Sequence, residues 1–139
     1  MGGCEVKYLL DTGVWLRAVN QSRSLPAPIL RVLKTPREIF GLAVISLWEV
    51  GKKFQTGRLP LPKDLPGWFA DALAPNLELL PLTDAVVVEA MRLPDFPNRD
   101  PADELIVATA RIHKLTLLTT DTKLKGYRHA RIHYFTPQP

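Results

Sequence analysis

Short apolar runs alternate with amphipathic stretches along this chain of 139 residues, and this alternation constrains the fold more than any other feature. Five runs are predicted as buried strands: residues 6–10, 39–46, 77–82, 115–120 and 131–135. Helical periodicity predicts helices over residues 12–20, 27–35, 46–57, 83–93 and 101–113, with one more at the end of the proline-rich stretch 59–74. Strands separated by helices indicate a mostly parallel sheet of about five strands, covered on both faces. The length favours a single α/β domain over residues 1–139.

The composition fits a globular protein of the cytoplasm. The chain is 46% hydrophobic and 23% charged, and no apolar run approaches the roughly 20 residues that span a bilayer. Its one cysteine, Cys4, excludes an internal disulfide framework and a zinc site built on several thiolates. The first residues lack the pattern of a secretory signal. We therefore expect a cytoplasmic protein without a membrane partner.

Acidic residues follow the predicted strands or open the helices beside them. In an open parallel α/β sheet, ligands bind beyond the carboxyl ends of the strands, so we expect these side chains to share one edge. They are Asp11 after the first strand, Glu49 three residues after Ser46 at the end of the second, Asp100 and Asp103 at the start of helix 101–113, and Asp121 after the fourth strand.

Helix capping offers a simpler interpretation of each acid. Asp100 suits the N-cap position before Pro101, and Asp103 suits the third helical position, where the helix dipole favours negative charge. Ser46 and Glu49 have the spacing of a capping box, and Asp121 suits the start of a short helix. Taken singly, these acids do not require a functional site.

Taken together, the acids predict a cation site. Two carboxylates about 5 Å apart repel by roughly 3 kcal/mol at an effective dielectric near 20, so a cluster of four or five indicates a bound cation. Ligands that are all oxygen favour Mg²⁺ or Mn²⁺. Thr12, Ser46 and Thr119 are the hydroxyls expected to support the acids.

The chemistry expected of such a site is phosphodiester cleavage by metal-activated water. No Walker loop or glycine-rich phosphate cradle is present in the sequence. Residues 111–139 hold six of the 18 basic side chains and one of the 14 acidic ones. This basic end is either ordinary solvated surface or a contact for nucleic acid, and with the metal chemistry it makes a nucleic acid backbone the expected substrate.

Four segments, in this order, resemble the PIN-domain ribonucleases, and within them the VapC toxins of toxin–antitoxin pairs. The segments are YLLDTGVWL, SLWEVGKK, RDPADELIVATA and LTLLTTDTKL, and the resemblance runs from Tyr8 to about Phe135. It implies a three-layer α/β/α, Rossmann-like domain and cleavage of RNA that depends on a divalent metal. Carried over by motif, Asp11, Glu49, Asp103 and Asp121 are the catalytic and metal-binding acids. Asp100 is then a cap or supporting acid, although the third ligand could be either Asp100 or Asp103.

The resemblance also implies partners. A VapB-like antitoxin is expected to lay a helix in a groove that includes Trp15 and Trp48, and a homodimer is expected. Core packing is the simpler interpretation of these tryptophans. Two other functions remain open from the residues: a phosphoacceptor receiver domain and a non-catalytic binding module with the same fold. A receiver would need paired acids after the first strand and a lysine after the last, but this chain has Asp11 alone and no lysine after Arg131.

Overall fold

The computed structural model describes residues 6–35, 37–73 and 75–139. Five parallel strands form one sheet in the order β3-β2-β1-β4-β5. The strands are β1 (Tyr8–Leu10), β2 (Phe40–Ala43), β3 (Leu77–Leu80), β4 (Thr116–Thr119) and β5 (Arg131–Tyr134). The helices are α1 (Thr12–Asn20), α2 (Ala27–Leu33), α3 (Val44–Gln55), α4 (Leu65–Ala72), α5 (Asp84–Met91) and α6 (Pro101–His113), with a 3₁₀ turn at Ser22–Ser24.

Each face of the sheet has its own hydrophobic core, because successive strand residues point to opposite faces. On one face, Leu10 and Leu118 pack in a core with Trp15, Ile29 and Trp68, which belong to α1, α2 and α4. On the other face, Leu9 and Leu117 pack with Ile106 and Val107 of α6. Helix α5 packs on α6 through Val86, Ala90 and Ala108. The predicted three-layer α/β/α fold with a parallel sheet of five strands is confirmed.

The predicted second strand, residues 39–46, is too long. The strand β2 ends at Ala43, and α3 begins at Val44 without a connecting loop. Buried strand and buried helix cannot be distinguished by periodicity within a short apolar run, and the residues 42–45 are all apolar. The other predicted strands each contain the observed one and exceed it by one or two residues. None of the helices in the described residues is long and apolar enough to cross a membrane.

Candidate active site

The carboxyl ends of the parallel strands lie at one edge of the sheet, which we call the carboxyl edge. Asp11 follows β1 directly, and Asp121 lies two residues after Thr119, the end of β4. Glu49 lies in the second turn of α3, the helix that follows β2, and Asp103 lies in the first turn of α6. Four separate elements therefore bring one carboxylate each to this edge, as the sequence predicted.

Asp11 is the most buried of these acids, with 8% of its surface exposed. One carboxylate oxygen accepts the backbone N–H of Val14 at 2.8 Å, which makes Asp11 the N-cap of α1. The other oxygen accepts the hydroxyl of Thr119. Burial raises the pKa of Asp11 from its ordinary 3.8 to about 6, against the effect of these two bonds, and the charges of Asp121 and Glu49 raise it further. Asp11 therefore both caps a helix and belongs to a group of interacting acids.

Two hydroxyls hold the carboxylate of Glu49, and one of them belongs to Thr12, the residue after Asp11. The hydroxyl of Thr12 lies 2.5 Å from Oε1 of Glu49 and 2.8 Å from the hydroxyl of buried Ser46. Because a hydroxyl has one hydrogen and a carboxylate can only accept, Thr12 donates to Glu49 and accepts from Ser46. Burial raises the pKa of Glu49, while the Thr12 bond and the nearby charge of Lys53 lower it.

The predicted capping box of Ser46 and Glu49 is wrong. Ala43 is the N-cap of α3, and it makes no side-chain cap bond. Since α3 begins at Val44, Ser46 already lies inside its first turn, and its hydroxyl is directed to Thr12 instead of a backbone amide. The early start of the helix places Ser46 and Glu49 on the side of α3 that meets Thr12.

Asp103 is the acid whose pKa is raised most in the described residues, from 3.8 to about 7. Burial is the largest cause, followed by the charges of Asp100, Asp121, Glu49 and Asp11. The side-chain amide of Asn98 donates to Oδ2 of Asp103 at 3.2 Å. Asp103 therefore interacts with each of the other acids near this edge.

Asp100 is the N-cap of α6, as the sequence predicted. Its carboxylate accepts the backbone N–H of Ala102 at 2.9 Å, and its own N–H donates to Oδ1 of Asn98 at 2.8 Å. The side chain of Asp100 is exposed, whereas that of Asp103 is half-buried. The geometry thus gives the capping role to Asp100, and Asp103 is the acid whose charge interacts with all the others.

Asp121 is held by the turn that follows β4. Its backbone N–H donates to the hydroxyl oxygen of Thr119 at 3.0 Å, and its carboxylate accepts the N–H of Lys123 at 2.9 Å. The hydroxyl of Thr119 therefore binds both Asp11 and Asp121, which explains why the predicted supporting role fits this residue.

The donor set suits a hard divalent cation, because the converging groups are carboxylate and hydroxyl oxygens. As they stand, no three His, Cys, Asp or Glu side chains among the described residues are close enough together to hold a metal ion. The fit therefore depends on the type of donor, on their common edge, and on the charges through which Asp11, Glu49, Asp103 and Asp121 interact. Ligation by these four acids remains a prediction.

Two residues near the acids were not assigned a role from the sequence. Asn98 bonds to both Asp103 and the backbone of Asp100. Lys53 lowers the pKa of Glu49. The spacing of Glu49 and Lys53, four residues apart on a helix, is a pattern that favours a charge interaction and could have identified Lys53. No comparable spacing pattern identifies Asn98.

The two tryptophans of the predicted partner groove do not share a surface. Trp15 is 1% exposed, and its indole N–H donates to the carbonyl of Ala72 at 3.1 Å. Trp15 belongs to the core, so the prediction that it lines an exposed groove is wrong. Trp48 is 59% exposed and lines a cavity of about 440 Å³ beside Glu49 and Asp100. A partner contact through Trp48 remains a prediction.

The basic residues of the C-terminal part are mostly far from the acids. Lys114 precedes β4 and Arg131 begins β5, so both lie at the opposite edge of the sheet, which we call the amino edge. With Arg111, Arg128 and Glu89 they line a cavity of about 450 Å³. Lys123 and Lys125 line a second cavity, of about 380 Å³. The geometry therefore does not make this basic group the immediate surroundings of the acidic residues.

A family model for the PIN domain matches residues 8–130, which include the strands β1 to β4 and all four acids. The chain therefore belongs to the PIN-domain family. This assignment excludes the receiver-domain alternative.

The VapC resemblance is confirmed by the relatives. The chain is 33% identical over 125 residues to Ribonuclease VapC22 of Mycobacterium tuberculosis, and the match covers 88% of this chain and 93% of that protein. The fold is similar to VapBC2 from Rickettsia felis, solved with a promoter DNA fragment, with a TM-score of 0.69, 17% identity and coverage of 93% and 98%. It is also similar to FitAcB from Neisseria gonorrhoeae, with a TM-score of 0.65, 20% identity and coverage of 90% and 95%.

Proposed function

We propose that this protein is a cytoplasmic endoribonuclease that depends on Mg²⁺ or Mn²⁺, and that it is the toxin of a VapC–VapB type pair. The observation that carries the proposal is the convergence of four carboxylates from separate elements at the carboxyl edge. Three of them, Asp11, Glu49 and Asp103, have pKa values raised by burial and by neighbouring acids. Support for RNA as the substrate comes from the 33% identity to a protein named as a ribonuclease.

Asp11, Glu49, Asp103 and Asp121 are the proposed metal ligands. A divalent ion bound there would supply a polarised phosphate oxygen and a water of lowered pKa. Thr119 fixes the carboxylate of Asp11 through a hydrogen bond, and it also anchors the turn that holds Asp121. Thr12 fixes Glu49 and is itself held by Ser46. These hydroxyls orient the acids without adding positive charge to the edge.

Asp100 has a different proposed role, which is to hold the start of α6. Its bond to the N–H of Ala102 fixes the first turn of the helix, and Asn98 joins this turn to Asp103. Asp100 thus sets the direction of Asp103 and acts as a supporting acid. The choice of Asp103 as the third ligand follows from its partial burial and from its interaction with all the other acids.

The test is the cleavage of single-stranded RNA by the purified protein in Mg²⁺, in Mn²⁺ and in chelator. We expect internal cuts with either metal and none in chelator. Asp84→Asn, an exposed acid at the start of α5, is the matched control and should cleave like wild type. Cleavage that persists at full rate in chelator would contradict the metal-dependent mechanism, and intact RNA under all metal conditions would contradict the nuclease.

The proposed partner is a VapB-like antitoxin, as in the VapBC complexes whose fold is similar to this one. We expect it to bring a basic residue to the carboxyl edge, where the acids would attract a positive charge. Co-expression with the product of a neighbouring reading frame and joint purification test this partner. A homodimer is also proposed, and the mass in solution tests it.

A further inference from the structure

A cavity of about 440 Å³ opens beside the acids at the carboxyl edge, which we call the Trp48 groove. It is lined on one side by α3 and on the other by the start of α6, and its lining includes Glu49, Asp100 and Pro101 as well as Trp48, Lys52, Lys53 and Arg58. Its volume falls within the range of about 300–1,000 Å³ that is typical of ligand-binding clefts. A ligand in this groove would therefore lie next to two of the acids described above.

The groove combines an exposed aromatic ring with several cations. Trp48 is 59% exposed, which is unusual for so large an apolar side chain, since the other two tryptophans of the chain are 1% and 2% exposed. Lys52, Lys53 and Arg58 are exposed, and none of them forms an ion pair with a residue that the structure describes. A stacking ring flanked by unpaired cations is the combination that binds single-stranded nucleic acid, because bases stack on the ring and phosphates meet the cations.

A single exposed tryptophan can also be ordinary surface, or the anchor for a helix of a protein partner. The groove has two features that favour RNA. The cations follow Glu49 along α3, so a strand whose phosphate reaches the acids would continue over Lys52 and Lys53. Flat aromatic surface next to cations also fits a base and its phosphate better than it fits the aliphatic face of an amphipathic helix.

We propose that the Trp48 groove binds single-stranded RNA, with one base stacked on the indole of Trp48 and the adjoining phosphates held by Lys52, Lys53 and Arg58. This inference rests on the proposed ribonuclease function and assigns the nucleotides beside the cleaved bond to the groove. It implies that duplex RNA is a poor ligand, because paired bases are not available for stacking on a protein side chain.

The tryptophan fluorescence of the protein gives a direct test. Trp15 and Trp68 are buried, and their indole N–H groups donate to the carbonyl of Ala72 and to the side-chain oxygen of Asn20 respectively. A change on adding RNA therefore reports on Trp48. The titration uses a short single-stranded oligoribonucleotide, in chelator so that it stays intact, and at low salt, where phosphate contacts are strongest. We expect quenching by the single strand and little change with a blunt-ended RNA duplex of the same length.

Substitutions separate stacking from simple attraction of charge. Because these variants remove the fluorescent reporter, their affinities are measured by the anisotropy of a dye-labelled oligoribonucleotide. Trp48→Ala should weaken binding by roughly 5- to 150-fold, which corresponds to the loss of about 1–3 kcal/mol for one stacked base, and Trp48→Phe should keep most of the affinity. Lys52→Gln and Arg58→Gln should each reduce the slope of log affinity against log salt by about 0.7. Met91→Ala and Lys34→Gln are the matched controls, exposed side chains at the end of α5 and just after α2, and should bind like wild type.

Binding and cleavage can fail independently. Cleavage by wild type without quenching, or with unchanged affinity in Trp48→Ala, would overturn the groove and leave the nuclease in place. Quenching by the single strand without cleavage in any metal would support the groove and overturn the nuclease. Equal quenching by the duplex would overturn base stacking. A response to the purified antitoxin but not to RNA would show that Trp48 is a protein contact and would overturn the proposal.

Discussion

The two edges of the sheet carry opposite charges, and they satisfy those charges in different ways. At the amino edge, Arg111 pairs with Glu89 at 2.5 Å and also donates to the carbonyl of His129, while Arg131 donates to the carbonyl of Lys114 at 3.1 Å. At the carboxyl edge, none of the four clustered carboxylates forms an ion pair within the described residues. Their hydrogen-bond partners are backbone amides, hydroxyls and a side-chain amide, all of them neutral.

We infer from this difference that the paired cations of the amino edge stabilise the fold, whereas the acids of the carboxyl edge are available to a ligand. Helix dipoles favour acids where helices begin and bases where they end, so they favour the sign of charge seen at each edge. They do not require buried carboxylates to lie together, because such groups raise one another's pKa. At the amino edge, Arg111 and Arg131 have partners within the chain, whereas the four carboxylates of the carboxyl edge form no ion pair among the described residues.

Among substitutions that test this difference between the two edges, loss of an acid is expected to have the largest effect, and that effect is on the rate of RNA cleavage. Asp11→Asn removes a proposed ligand and should lower the rate of RNA cleavage in Mg²⁺ by more than about 100-fold, since even residues that only orient metal ligands typically matter by 10- to 100-fold. Arg128→Gln at the amino edge should leave the rate within about twofold, because surface substitutions far from the proposed metal ligands usually have small effects. Rates are measured on one RNA with folding checked by circular dichroism. Full activity in Asp11→Asn would end the ligand assignment.

The second expected effect is on stability in metal. Wild type should gain about 2.7 kcal/mol in the free energy of unfolding when Mg²⁺ is at roughly 100 times its dissociation constant, because the ion binds only the folded chain. Asp103→Asn should lose most of this gain, and Arg131→Gln should keep it. Denaturant unfolding in chelator and in Mg²⁺ measures both. An equal gain in Asp103→Asn and wild type would remove Asp103 from the ligands.

The third effect is a dependence of stability on pH in chelator. The folded pKa of Asp103 is about 7 and that of Asp11 about 6, both above the ordinary 3.8. Between about pH 4 and pH 7 the folded chain therefore binds more protons than the unfolded one, so these groups make stability fall as pH rises and level off above about pH 7. Unfolding at a series of pH values should show this slope in wild type and a smaller one in Asp103→Asn. A slope of the opposite sign in this window, or no change in Asp103→Asn, would contradict the raised pKa.

The layered fold and the edge that holds the acids were predictable, because both follow from local pattern. Buried runs and helical periodicity gave the five strands, and the rule for parallel sheets put Asp11, Glu49, Asp103 and Asp121 at one edge. The start of α3 was not predictable in the same way. Residues 42–45 are apolar in either structure, so only the packing of the folded chain decides that α3 begins at Val44.

The tryptophans show where sequence pattern stops being informative. Trp15 and Trp48 both lie on amphipathic helices, and each could pack inside or face solvent. Trp15 is buried because α1 lies on the sheet, in the core that includes Leu10 and Trp68. Trp48 lies on the exposed side of α3. Some of the cations beside it, such as Arg58, are separated from it in sequence but line the same cavity. Such differences depend on how helices are placed, which no single stretch of sequence records.

The smallest expected effect distinguishes the cap from the ligand within the first turn of α6. Asp100 is the N-cap, and Asn serves about as well as Asp at that position, so Asp100→Asn should change the free energy of unfolding little, whereas Asp100→Ala should lower it by about 1 kcal/mol. Asp103 gains from the helix dipole but is repelled by the other acids. If the dipole were its only role, Asp103→Asn would lose about 0.3–1 kcal/mol in chelator. We expect no loss, or a gain, because the substitution removes one of several repelling charges. Unfolding of the three variants in chelator decides between the two roles, and a loss in Asp103→Asn together with a full Mg²⁺ increment would move the third ligand to Asp100.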